Sequence, residues 1–253
     1  MLTPAETEEI IRLHHQQVAS GQALRNLSKR QVSRIAFNGM RYVVKAYLRR
    51  WWHRLLHILP GDTKSQRLLE GFTPPCLADT AQTHLWQFTI YPDAGAFDLY
   101  ELIKRAPLPS EYASLYAKAG ELLARIHQRG VYHGDTKPPN FVINTNLPEL
   151  PPVVIVDCDH LIAYRQLPEH RRVFNLAQFI ATNDVFPENR PHYPECISTF
   201  AEAYATTSGF SSTQMNALLT KALQVISSSP RIEKRIDEQL IHSIEKQIHG
   251  KAI

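Results

Sequence analysis

The sequence predicts an α+β chain with two lobes, a small antiparallel-sheet N-lobe over residues 1–92 and a larger, mainly helical C-lobe over residues 93–253. Three observations lead there. Alternating runs rich in β-branched residues flank Asn38-Gly39, a pair suited to a type I′ hairpin turn because both central residues take positive φ. Residues 111–130 carry apolar side chains at helical spacing. Beyond Asp159 the pattern is helical, with no repeat or low-complexity tract. At 253 residues the chain can bury one or two cores, so a single two-lobed unit is the natural reading.

Thr3-Pro4-Ala5-Glu6 opens a helix, with Thr3 as cap, Pro4 in the first turn and Glu6 closing a capping box. That helix is expected to run to about Ser20 and stop at Gly21. Residues 24–48 read as strands. Alternation along the strand after Gly39 puts Arg41, Val43, Lys45 and Tyr47 on one face, so Lys45 projects from a strand directly after a hairpin. The turn ahead of it reads Ser28-Lys29-Arg30-Gln31 and has no glycine-rich loop. A phosphate there would meet the side chains of Lys29 and Arg30 more than a backbone cradle.

Residues 49–59, with Arg49, Arg50, Trp51, Trp52 and Arg54, read as a basic, aromatic and leucine-rich helix. That composition suits peripheral contact with a membrane interface as well as it suits packing onto the sheet. A short helical stretch comes next over 63–70, closed by Gly71 and Pro74-Pro75. It offers Asp62 or Glu70 as acids that could pair with Lys45, neither comfortably placed; with neither, Asp157 and an anion bound there would organise Lys45. Residues 84–91 read as a strand leading to Pro92-Asp93-Ala94-Gly95, a hinge between the lobes. Residues 97–105 begin the helical lobe, and the helix over 111–130 should bury Leu115, Ala119, Leu122, Leu123 and Ile126. Four more helices are expected, at 171–182, 193–206, 212–227 and 231–249.

Charge is unevenly distributed. Residues 10–61 contain ten Lys or Arg and no Asp or Glu, whereas the rest of the chain carries 18 basic against 24 acidic residues. A basic first fifth implies an anionic partner near the N-lobe. The motifs at 133–140 and 153–157 direct that to nucleotide and an anionic glycolipid or phosphosugar; no nucleic acid is expected. No apolar run approaches the ~20 residues of a membrane span, and the opening residues do not read as a signal peptide. Cys76, Cys158 and Cys196 are odd in number and far apart, which fits a reducing compartment; Cys158 is expected to pack, not to react.

The chemistry concentrates in His133-Gly134-Asp135-Thr136-Lys137-Pro138-Pro139-Asn140 and in Val153-Val154-Ile155-Val156-Asp157. The first run puts a carboxylate, an ammonium and a carboxamide on one tight loop. The second ends an apolar strand on a carboxylate, which loses hydration worth several kcal/mol unless cations or donors compensate. A base for an acceptor hydroxyl, a cation for a migrating phosphate and metal ligands are the equipment of phosphoryl transfer.

His133, Asp135, Lys137 and Asn140 resemble the catalytic loop of the protein-kinase-like superfamily, with Gly134 where an Arg is usual. Asp157-Cys158-Asp159 stands where protein kinases carry Asp-Phe-Gly. Together with Arg41-Tyr42-Val43-Val44-Lys45-Ala46-Tyr47, these residues resemble the bacterial lipopolysaccharide core kinases (the Kdo/heptose kinase family) over roughly residues 24–185. The resemblance implies a protein-kinase-like fold, ATP and Mg2+ as cofactors, and Kdo or heptose of the lipopolysaccharide inner core as acceptor. It also implies a cytoplasmic protein at the inner face of the bacterial inner membrane. By the same resemblance Asp135 and Lys137 are catalytic, Lys45 with Lys29 and Arg30 binds nucleotide, and Asn140, Asp157 and Asp159 hold metal. His133 is expected to support the loop through hydrogen bonds.

Two departures stand out. Relatives show Asp-Leu-x-Arg where this chain has Asn175-Leu176-Ala177-Gln178, and loss of that charge pair is expected to weaken anchoring of the loop after Asp157. No peptide-substrate activation segment is evident. A small-molecule kinase of the aminoglycoside or choline type also uses a His-Gly-Asp loop, but its acceptor pocket is usually acidic. A pseudokinase acting as a binding scaffold would accommodate the missing glycine loop, while Asp135, Lys137, Asn140 and Asp157 oppose it.

Overall fold

The computed structural model describes residues 1–48, 67–80, 86–104, 111–159, 161–181, 189–229 and 238–250. Helix α1 (Pro4–Ala19) starts as the sequence asks: Thr3 Oγ1 accepts from the Glu6 N–H at 3.3 Å, and Glu6 Oε2 accepts from the Thr3 N–H at 2.8 Å. Five strands come after it, β1 (Arg25–Leu27), β2 (Arg30–Phe37), β3 (Met40–Leu48), β4 (Ala78–Thr80) and β5 (Trp86–Pro92), in the all-antiparallel order β1-β2-β3-β5-β4. Asn38 and Gly39 close the β2–β3 hairpin with φ of 49° and 74°, so both turn residues take the left-handed region that this turn requires.

Period-2 alternation decides what each face of the sheet does. Tyr42, Val44 and Ala46 of β3, with Ile35, Phe88 and Ile90, are buried against Ile10 and Ile11 of α1. Full burial stabilises each large aliphatic or aromatic side chain by ~1.5–3 kcal/mol. The opposite face of β3 presents Arg41, Val43, Lys45 and Tyr47, as the alternation predicts.

Six further α-helices are described: α2 (Leu99–Lys104), α3 (Glu111–Gln128), α4 (Glu169–Ile180), α5 (Tyr193–Ser208), α6 (Ser212–Ser228) and α7 (Glu238–Gly250). They share one core in which Phe179 and Phe200 stack at 4.0 Å between ring centroids and Tyr116 meets Phe179 edge-on. Ala119, Leu122, Leu123 and Ile126 are buried as expected, and Leu115 is half-buried. Helix α2 begins at Leu99, not Phe97, because Asp98 Oδ1 accepts from the Glu101 N–H at 2.9 Å and serves as its cap.

The helix expected over 49–59 and residues 63–66 of the next one lie outside the described residues. The described end of that second stretch, Arg67–Leu69, is a single 3-10 turn. Residues 84–85 and 231–237 also lie outside the described residues. Among the described residues no helix is long and apolar enough to cross a membrane.

Between α3 and α4 run two small ladders. Strand β6 (Val131–Tyr132) pairs with β9 (Ile162–Ala163), and β7 (Phe141–Ile143) pairs with β8 (Val153–Ile155). A 3-10 turn, Pro138–Asn140, leads directly into β7. Because Phe141 faces Ile155 in the antiparallel register, Asn140 falls opposite Val156, whose N–H donates to the Asn140 carbonyl at 2.9 Å. The register therefore brings residues 133–140 against Asp157.

Gly120 permits the close approach of α3 to α5, since a Cβ there would lie 2.2 Å from the Phe200 carbonyl oxygen. Gly120→Ala is expected to destabilise the protein by about 1–3 kcal/mol in chemical denaturation, the cost of overpacking. Helix propensity alone would have it stabilise by ~1 kcal/mol.

Candidate active site

A cavity of about 330 Å³ opens between the free face of the sheet and the loops of the helical part. Lys45, Arg30, Lys137, Asn140 and Asp157 all line it. That volume lies at the small end of the usual range for ligand pockets, ~300–1,000 Å³.

The loop is fixed from below by two side-chain amides. Asn175 and Gln178, buried on α4 and three residues apart, share one helix face. Asn175 Oδ1 accepts from the His133 N–H at 3.4 Å and its carbonyl accepts from Thr136 Oγ1 at 2.7 Å. Gln178 Oε1 accepts from the Thr136 N–H at 3.3 Å, and its Nε2 donates to the Gly134 carbonyl at 3.1 Å. Backbone on both sides of Asp135 is thus held by neutral groups. What the amide pair holds is therefore residues 133–136, to which it supplies both donors and acceptors.

Asp135 Oδ2 lies 2.8 Å from Lys137 Nζ and accepts from Asn140 Nδ2 at 3.0 Å; Asn140 Nδ2 also donates to the Asp135 carbonyl at 2.7 Å. Both protons of the Asn140 amide are therefore directed to Asp135, which leaves its Oδ1 as an acceptor.

Asp157 has φ of 64°, in the left-handed region, at a backbone cost of roughly 1–2 kcal/mol that Asp tolerates better than most residues. Its Oδ1 receives Arg30 Nη2 at 2.7 Å and Lys45 Nζ at 3.2 Å. Burial alone would raise its pKa. The Lys45 ammonium and Arg30 guanidinium outweigh that and hold the carboxyl well below its ordinary value. Lys45 finds no acidic partner from a helix among the described residues. Glu70 is exposed, and Asp62 lies outside them. Asp157 itself organises the ammonium.

Asp159 Oδ2 accepts from the Tyr47 hydroxyl at 2.8 Å and lies 3.9 Å from Arg30 Nη2, so its carboxylate sits beside the ion cluster and does not line the cavity. Burial, reinforced by Asp159, pushes the Tyr47 phenol far up, so it remains a donor. Lys29 is exposed in the turn between β1 and β2 and does not line the cavity, whereas Arg30 does.

Cys158 is buried, with its Sγ 3.6 Å from Thr73 Oγ1, and burial pushes its thiol up to about 11, which fits a packing role. His133 is fully buried and supports the loop as expected, its backbone N–H donating to Asn175 Oδ1.

An oxygen-seeking divalent cation fits the donor set. Asn140 Oδ1 and Asp157 Oδ2 are acceptors without a hydrogen bond among the described residues, both on residues that line the cavity, and hard cations take such ligands. Among the described residues no three His, Cys, Asp or Glu side chains cluster as a metal site, so the carboxamide would be an integral ligand.

Sequence reading missed several groups. Arg34 Nε lies 2.9 Å from Asp93 Oδ2, and its Nη2 donates to the Gly95 carbonyl at 2.9 Å, bracing the turn after β5. The Ala94 carbonyl in that turn accepts from the Thr145 and Asn146 N–H groups at 2.9 and 3.1 Å. Alternation along β2 could have found Arg34, since it shares a face with Arg30. Asp98 lines the cavity as well as capping α2.

No family model matches the chain, and no curated protein matches it. One solved structure, WaaP in complex with acyl carrier protein, overlaps 80% of this chain and 88% of that chain at 16% identity, with a TM-score of 0.46. Overlap at that level identifies neither family nor activity.

His127 is fully buried, paired through Nδ1 with the Tyr204 hydroxyl at 2.7 Å and through Nε2 with Asn175 Oδ1 at 3.0 Å. Burial pushes its pKa down to about 3 and that of His133 down to about 4. An unfolded His titrates near ~6.5, so below that pH the unfolded chain binds more protons. The stability each histidine contributes is complete above about pH 6.5 and is lost as pH falls toward the folded value. Thermal or urea unfolding measured against pH should show a loss on the order of 1 kcal/mol per pH unit for each histidine as pH falls from 6 to 4.5, and His127→Gln should remove one histidine's share of it. Asn175→Leu strands the His133 N–H and a His127 nitrogen, and is expected to cost about 3 kcal/mol in the same assay.

Proposed function

We propose that this protein is a phosphotransferase that moves the γ-phosphate of ATP to a hydroxyl. The observation that carries the reading is the meeting, in one cavity, of Lys137 and Asn140 from a single loop with Lys45 and Asp157 from elsewhere, with Asp135 held at its edge by contacts to Lys137 and Asn140. Residues 1–92 and 93–253 then act as nucleotide-binding and catalytic lobes, with the turn at Pro92-Asp93-Ala94-Gly95 as the hinge where the base docks. A carboxylate, an amide oxygen and two ammonium groups around one space have few other uses, and phosphoryl transfer needs positioning and charge stabilisation above all.

In this mechanism Asp135 accepts a hydrogen bond from the acceptor hydroxyl and takes its proton as the new phosphorus–oxygen bond forms, while the bond from the γ-phosphorus to the bridging oxygen breaks and ADP leaves with that electron pair. Lys137, already beside that carboxylate, neutralises charge on the transferring phosphoryl group. Lys45 grips the α- and β-phosphates from β3, and Arg30 adds a second basic contact. Asn140 Oδ1 and Asp157 Oδ2 would hold Mg2+, which when bound would supply charge neutralisation for the nucleotide phosphates. The amides of Asn175 and Gln178 keep Asp135 aimed at the acceptor.

The acceptor we propose is a sugar, Kdo or heptose of the lipopolysaccharide inner core, reached at the inner face of the membrane. Support comes from the sequence resemblance at residues 41–47, 133–140 and 157–159 and from the anion-seeking basic charge of residues 10–61. An amine-bearing acceptor would be disfavoured next to that charge.

Stabilisation by Mg2+ and ATP together in a thermal-shift assay is expected, and its absence would leave a scaffold in place of an enzyme. Asp135→Asn should lower turnover about 10²–10⁴-fold, or ~3–5 kcal/mol of barrier, with the nucleotide-dependent thermal shift retained. Full turnover by that variant would remove Asp135 from the mechanism. Incubation of core lipopolysaccharide with the protein, Mg2+ and ATP should add one phosphate by mass spectrometry; an unchanged mass alongside ATP turnover on another sugar would correct the acceptor.

A further inference from the structure

Arg30 occupies a position at odds with simple phosphate binding. Its Nη2 is 2.7 Å from Asp157 Oδ1, closer than Lys45 Nζ at 3.2 Å, and 3.9 Å from Asp159 Oδ2. Its guanidinium lies over the Tyr47 ring, 5.4 Å from the centroid, and Tyr47 in turn donates to Asp159. Two cations and two carboxylates form a closed, neutral set. Asp157 is also the carboxylate best placed to hold a metal, so a divalent cation arriving alone would add two charges within a few ångströms of two fixed ones.

The two cations differ in freedom. Lys45 is on a central strand, paired on one side with Val32 and on the other with Thr89, and its side chain is 12% exposed. Arg30 is the first residue of β2, at the root of a hairpin whose turn, Ser28-Lys29, and whose edge strand β1 are exposed throughout. Its side chain is 24% exposed and lines the same cavity as Lys45 and Lys137. A guanidinium so placed can exchange a carboxylate for a phosphate, for which its planar fork is suited.

We propose that Arg30 is a resident counter-cation that bars divalent metal from Asp157 until a polyphosphate draws it away, so that metal enters only as its nucleotide complex. This rests on the reading that Asp157 is a metal ligand. The hairpin that has no glycine loop thereby gates metal entry as well as binding phosphate.

Manganese binding, measured by electron paramagnetic resonance without nucleotide, tests it. The wild-type protein is expected to bind Mn2+ no tighter than millimolar, and Arg30→Gln at least tenfold tighter. Arg30→Gln combined with Asp157→Asn should lose the gained site. Equal Mn2+ affinity in wild type and Arg30→Gln overturns the proposal, as does a gained site that survives Asp157→Asn. Should Arg30→Gln not fold, the wild type alone decides: a micromolar Mn2+ site in the absence of nucleotide also overturns it. Failure of the phosphotransferase reading would show separately, as a wild-type protein that Mg2+ and ATP together do not stabilise.

Discussion

The Asp157 carboxylate is the constraint on which the arrangement of the site depends. It is mostly buried, 20% exposed, and its backbone sits in the left-handed region. Either condition is unfavourable alone: desolvating a carboxylate costs several kcal/mol, and the dihedral adds roughly 1–2 kcal/mol. Both persist because Arg30 and Lys45 reach across from the sheet onto one of its oxygens. The contacts span 127 and 112 residues of sequence. The same pairing therefore compensates a local cost and ties the sheet to the helical part at the cavity. Removing either cation would leave a buried charge with half its compensation, more costly than losing an exposed ion pair.

Much of this was legible in the residues. The capping box at Thr3, the Asn38-Gly39 turn and the alternation that exposes Lys45 on the face opposite α1 are local rules, each satisfied within a few residues. The loop at 133–140 was legible because four chemically apt groups fall within one turn. Several contacts between segments distant in sequence escaped. Tyr47 shares Lys45's face, yet its bond to Asp159 depends on where the helical part places that carboxylate. Hydrogen-bonded support from His133 was legible, but not that Asn175, 42 residues on, accepts from its backbone N–H. Of the acids the residues offered Lys45, the one that meets it is Asp157, just past the end of β8, and neither Asp62 nor Glu70 is seen to do so.

Asn175 and Gln178 illustrate a different limit. Read as the loss of an Asp and an Arg, they suggested a weaker anchor for the loop after Asp157 and gave no sign of what they hold at residues 133–136. An amide carries a donor and an acceptor on one planar group, so the two together serve His133, Gly134 and Thr136 without burying net charge. A buried carboxylate at position 175 would face His127 Nε2 and would draw a proton onto that ring. The neutral pair keeps His127 and the loop it supports out of the titration of the site.

The same economy of charge explains why the hairpin ahead of Lys45 can be basic. A glycine-lined turn offers phosphate oxygens only N–H groups, whose charge is partial and fixed in direction. An arginine offers a full charge that must be compensated before phosphate arrives, and here Asp157 and Asp159 provide that compensation. The carboxylates and the guanidinium thus stabilise one another at the cavity, Asp157 in its wall and Asp159 beside it. Whatever anion enters must exceed them as a partner for Arg30, a demand that a polyphosphate meets more readily than a single carboxylate or a neutral sugar.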